Sequence, residues 1–70
     1  MTTTARKIIR DMGIDAHIEV SLYDASLALD RSIPRDQARA LVAALTAAGI
    51  ESSSAPDHDD RAREWVYVSA

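Results

Sequence analysis

The chain reads as a small α+β domain, and three observations carry that reading. Ala38, Leu41, Val42 and Leu45 make one apolar stripe at helical spacing, closed by Gly49. Trp65-Val66-Tyr67-Val68-Ser69 is rich in strand-favouring residues and alternates between two faces. Between them, Pro56-Asp57-His58-Asp59-Asp60-Arg61-Ala62-Arg63 has the polar, turn-forming composition that joins two strands of a hairpin.

Taken in order, the first element is a helix from Ala5 to Met12. Ala5, Ile8, Ile9 and Met12 fall on one stripe, with Arg6, Lys7, Arg10 and Asp11 on the wet side. A threonine among Thr2 to Thr4 can cap it, and Gly13 suits a left-handed stop. Ala16 to Leu22 alternates, with Ile18, Val20 and Leu22 on one side and His17, Glu19 and Ser21 on the other, as in a half-buried strand. Ser21 to Arg31 admits two readings. As a helix, Ser21 and Asp24 resemble a capping pair and Leu22, Ala25 and Leu29 share a face. As a strand, Leu27 and Leu29 alternate with Ala28 and Asp30. The helix is preferred.

The third helix runs from Pro34 to Ala48. Pro34 fits its first turn, where a missing N–H costs nothing, and Gly49 ends it. A hairpin closes the chain, Ile50 to Ala55 against Arg63 to Ser69. The expected order is helix, strand, helix, helix, strand, strand.

Seventy residues make a single domain, 1–70, near the lower limit for a chain that folds alone. Hydrophobic residues at 47% and only two glycines and two prolines argue for an ordered chain. Cysteine is absent, which excludes disulfides and cysteine-bound zinc and makes an intracellular, cytoplasmic setting the expectation. The start Met1-Thr2-Thr3-Thr4 has no apolar signal run, and no stretch approaches a membrane span, so no membrane partner is expected.

Ile33 to Ser69 resembles the DNA-reading part of MarR-type winged-helix regulators. The matching features are Leu41-Val42, Leu45, Ala47-Ala48-Gly49-Ile50, then Pro56-Asp57 and Asp59-Asp60-Arg61-Ala62-Arg63, then Val66 and Val68-Ser69. The resemblance implies a winged-helix-like fold, with a loop placed as the wing tip and Asp60 and Arg61 organising it. Four departures bear on function. The family's reading helix presents polar and basic side chains, whereas the third helix here presents Asp36, Gln37, Ala40, Ala43, Ala44 and Ala47 outside its core stripe, with only Arg35 and Arg39 positive. Seventy residues leave no room for the long dimerisation helices of that family. The wing stem is Glu51-Ser52-Ser53-Ser54, where the family is usually basic. Ser32 replaces the upstream turn glycine.

Charge separates two functional readings. The chain carries 8 Lys and Arg against 11 Asp and Glu, a net −3. From Glu51 to Glu64, five carboxylates oppose only Arg61 and Arg63. Phosphate contacts need cations near the backbone, and base reading needs forked donors such as Arg or Gln. A DNA-binding regulator, alone or as a homodimer, would have to read duplex DNA with Arg35, Gln37 and Arg39 and clamp it with Arg61 and Arg63. Arg6, Lys7 and Arg10 could add phosphate contacts. The preferred reading is a protein-binding one. Asp36, Ala40, Ala43 and Ala47 form a smooth outer helix face, Asp57, Asp59 and Asp60 an acidic tip, and Trp65 and Tyr67 an aromatic pair exposed if Val66 and Val68 face the core. Such a surface suits another protein with a basic surface.

No catalytic constellation accompanies these features. A Ser-His-Asp set assembled from His17 or His58 lacks a nucleophile elbow and an oxyanion loop. Glycine occurs only at Gly13 and Gly49, so no phosphate-cradling loop exists, and no cofactor is expected. Asp57-His58-Asp59-Asp60 are neighbours in one turn, which seldom converge on a metal. In size, acidity and lack of catalytic groups the chain is similar in style, without a motif match, to accessory proteins of phages and mobile elements, including anti-CRISPR inhibitors. The expectation is a non-catalytic inhibitor or adaptor that blocks a surface of a nucleic-acid-handling protein.

Overall fold

A computed structural model describes residues 2–20 and 27–69. The element order is α1 (Thr2–Asp11), β1 (Ile18–Val20), β2 (Leu27–Leu29), β3 (Ile33–Pro34), α2 (Arg35–Ala47), β4 (Ser52–Asp57) and β5 (Asp60–Val68). All strand pairings are antiparallel. The long strand β5 is the centre of the sheet: β4 pairs with one edge, and β2 and the short β3 pair along the other. β1 extends the sheet beyond β2. The α+β class is as the sequence indicates.

Both helices end in the same way. At the end of α1, Gly13 takes φ 71°, its N–H donates to the Arg10 carbonyl, and the Ile14 N–H donates to the Ile9 carbonyl at 3.1 Å. At the end of α2, Gly49 takes φ 79°, its N–H donates to the Thr46 carbonyl, and the Ile50 N–H donates to the Leu45 carbonyl at 2.9 Å. Each is a Schellman closure, in which the residue after glycine returns to the last turn and packs its apolar side chain there. Ile9, Ile14, Leu45 and Ile50 are all buried.

The core lies between the helices and one face of the sheet. Ala5 and Ile9 of α1, Ala38, Leu41 and Leu45 of α2, and Val66 and Val68 of β5 share one cluster. Val42, expected in the buried stripe, is only half-buried against it. Pro34 sits one residue earlier than expected, as the N-cap of α2 and the end of β3.

One expected element is corrected. Over Ser21 to Arg31 the helix does not extend to Leu27–Leu29, which is strand β2. Leu27 and Leu29 are both buried with Ala28 half-exposed between them. Two residues apart on a helix would lie on nearly opposite sides, so only a strand buries both. The free edge of β5 supplies the pairing, Leu27 with Val68 and Ala28 with Tyr67. Ser21, Leu22, Asp24 and Ala25, including the expected capping pair, lie outside the described residues. The described architecture therefore has two hairpins and two helices, where a three-helix winged order was expected.

Candidate functional site

Strand β5 divides the molecule. Glu64, Val66 and Val68 point into the helix layer and are buried, whereas Arg63, Trp65 and Tyr67 alternate onto the opposite face and stay half-exposed. Across that open face Tyr67 stands between Ala28 of β2 and Ser53 of β4, and Trp65 stands beside Ala55. The cross-strand neighbours of the two rings are small, so both rings stand above them.

The tip of the β4–β5 hairpin is the two-residue turn His58-Asp59, with Asp57 opposite Asp60. Its carboxylates shape it. The Asp59 N–H donates to Asp57 Oδ1 at 2.9 Å, and the Ala62 N–H donates to Asp60 Oδ1 at 2.9 Å. Side chains of this type bond their own backbone two residues on, which fixes a turn. The Ser32 hydroxyl, then that Asp59 N–H, with the nearby Arg63 charge adding, hold the Asp57 carboxyl below its ordinary pKa. Asp59 and Asp60 remain exposed. Among the described residues no three acidic or histidine side chains gather as a metal group.

Behind the tip lies a hub that the sequence reading did not single out. Glu64 is 6% exposed, and its Oε2 lies 3.4 Å from Arg35 Nε and 3.9 Å from Arg39 Nη2. Arg35 also donates through Nη2 to the carbonyl of Arg61. Arg63 donates through Nε to the Ser32 hydroxyl at 3.1 Å and through Nη2 to the Ser32 carbonyl. Ser32 itself is buried. These contacts lash the first turn of α2 to the tip half of the hairpin. The signal for Glu64 was present: it shares parity with Val66 and Val68, so a strand that buries the valines buries the carboxylate too. A charge so placed needs partners, and Arg35 and Arg39 are within reach.

Of the residues expected to read DNA, Arg35, Arg39 and Arg63 make contacts within the chain, although Arg35 and Arg39 are exposed like Gln37 and Arg61. The residues expected to bind protein do not form one patch. Asp36, Ala40, Ala43 and Ala47 are exposed on α2, in the layer opposite Trp65 and Tyr67. The acidic tip belongs to the hairpin that carries the aromatic pair.

A concave feature lies between α1 and β1, a groove of about 700 Å³. Arg6, Lys7 and Arg10 line it together with Ile9, Ile14 and Ile18. No helix among the described residues is long and apolar enough to cross a membrane. Comparison with family models, with curated proteins and with solved structures finds no match to this chain.

Proposed function

We propose that this chain is a non-catalytic binding protein, a small acidic inhibitor or adaptor that covers a basic surface of a nucleic-acid-handling protein. The observation that carries the reading is the disposition of charge around the hairpin. Asp59 and Asp60 stand exposed at its tip, while the neighbouring cations Arg35, Arg39 and Arg63 are held by Glu64 and Ser32. A polyanion meeting this end would face Asp59 and Asp60 beside Arg61, and would find Arg35 and Arg39 partly neutralised by Glu64. A cationic protein surface meets complementary charge. Trp65 and Tyr67 supply the anchors beside the tip, since half-exposed aromatics bury large area at low entropic cost. The outer face of α2 is left to solvent in this reading.

Trp65 is the single tryptophan of the chain, so its fluorescence reports on the proposed face directly. Capture from host lysate should retain a protein with a basic surface, and that retention should fail for Trp65→Ala and for Asp59→Lys with Asp60→Lys. The purified chain should leave Trp65 emission unchanged on titration with duplex DNA at low salt. Tight duplex binding that weakens steeply with salt and needs Arg35 and Arg39 would overturn the proposal and establish the DNA-binding reading.

A further inference from the structure

The groove between α1 and β1 combines an apolar floor with a cationic rim. Ile9, Ile14 and Ile18, core residues of which only 4%, 6% and 7% is exposed, form the narrow floor, and Arg6, Lys7 and Arg10 form the rim. The three cations are exposed, and no carboxylate among the described residues pairs with them. Acid is not scarce, at 11 carboxylates to 8 cations. Arg31 reaches Asp30 and Asp15, Arg35 and Arg39 reach Glu64, and Arg63 reaches Ser32. Arg6, Lys7 and Arg10 therefore carry charge that no described carboxylate pairs with, above an apolar trough, a composition that suits an amphiphilic anion.

We infer that this groove docks an acidic amphipathic peptide segment of a partner protein. Apolar side chains of the segment lie on the isoleucine floor, and its carboxylates meet Arg6, Lys7 and Arg10, as an amphipathic helix lies in a groove. Nucleic acid fits the same rim less well. Among the described residues the groove is lined by no aromatic side chain on which a base could stack, and a phosphate backbone would leave the floor uncovered. The acidic tip of a second copy fits less well for a related reason: His58, Asp59 and Asp60 bring no aliphatic side chain to the floor. The site is separate from the hairpin surface and opposite to it in sign, so one chain would hold two partners of different charge.

The test is fluorescence anisotropy with a labelled peptide of about 14 residues that sets leucines at helical spacing among glutamates, compared with a polyglutamate of equal length and a short DNA duplex. The amphipathic peptide should bind, with the other two probes weaker by at least about tenfold. Arg6→Glu with Arg10→Glu should weaken it by at least about tenfold while the circular dichroism stays that of the parent. Lys7→Glu alone should weaken it less, and serves if the double variant does not fold. Asp59→Lys with Asp60→Lys should leave peptide binding unchanged, which separates this site from the proposed hairpin surface. Equal binding of polyglutamate or duplex, indifference to charge reversal on α1, or no binding of the amphipathic peptide would overturn the inference.

Discussion

In the segment from β3 to β5, Arg35 and Arg39 lean on the buried carboxylate of Glu64 and Arg63 grips Ser32, whereas on α1 Arg6, Lys7 and Arg10 stand exposed with no carboxylate partner among the described residues. The same side-chain chemistry serves two ends. In the later segment it compensates a charge that the alternation of β5 forces inward and ties the helix to the hairpin. On α1 it faces solvent. The comparison teaches that net charge is a poor guide to where a small protein can bind an anion. What counts is which cations the fold has already spent.

The core gives the sharpest break between the two regions. Leu41 of α2 is 0% exposed, while Ile8 of α1 is only half-buried. Leu41→Ala should cost about 2–5 kcal/mol, comparable to the whole stability of a domain this small. Ile8→Ala should cost about 1 kcal/mol, because much of its side chain is already wet. Urea denaturation followed by circular dichroism decides. A more damaging change at Ile8 would reverse the assignment of α2 as the principal support of the core.

The arginine hub comes next in size. Glu64→Ala removes the carboxylate that Arg35 and Arg39 share and should cost about 1–3 kcal/mol, held below the fully buried figure because both arginines can rehydrate. Glu64→Leu should be milder, since it refills the volume and leaves no buried charge. Arg10→Ala on α1 should shift stability by less than about 0.5 kcal/mol. If Arg10→Ala costs as much as Glu64→Ala, the contrast between spent and available cations fails. Glu64→Leu should also raise affinity for duplex DNA, by releasing two arginines.

Much of this was legible in the residues themselves. The stripe Ala38, Leu41 and Leu45, the stop at Gly49 and the closing hairpin are local patterns, each readable without its neighbours. So was the outward turn of Trp65 and Tyr67, which follows from period two once Val66 and Val68 face inward. Leu27–Leu29 was misjudged because the deciding partner, the free edge of β5, lies about forty residues further on. A three-residue strand has too little pattern of its own to outweigh a helical spacing. The hub was missed for the same kind of reason. Glu64 lies about thirty residues beyond Ser32 and Arg35, and only the pairing of β3 with β5 brings them together.

The two glycine stops are a matched pair for comparing the helices. Gly13 and Gly49 both have positive φ, and a Cβ at either meets no atom within 4 Å. Alanine there would therefore be penalised by backbone conformation alone, about 1 kcal/mol at each position. Equal losses in thermal melts of Gly13→Ala and Gly49→Ala would show that the closures of α1 and α2 are equally formed. A negligible loss at Gly13 alone would show that the end of α1, and with it the wall of the groove, is loosely held.

The smallest effect is a dependence on acid, and it too can be read in each region separately. Asp57 at the hairpin is held below its ordinary pKa by the Ser32 hydroxyl first and then by the Asp59 N–H. Asp30, beside β1, is held below it by the His17 N–H first, at 2.9 Å, and then by Arg31. In both the native state favours the charged form, so the folded pKa lies under the unfolded value. The stabilisation is complete above the unfolded value of about 4 and is lost as pH falls through the folded one. Urea midpoints should therefore drop between pH 6 and pH values of about 3, and the drop should be shallower in Asp57→Asn and in Asp30→Asn. Salt divides the two further. The exposed Asp30–Arg31 pair is open to screening, whereas the backbone N–H bonds to either carboxylate are not free ions and persist. If Asp57→Asn follows the parent unchanged through the acid limb, the Asp57 carboxyl is not held in its charged form by the folded hairpin, and the acid dependence belongs to Asp30 and the first region alone.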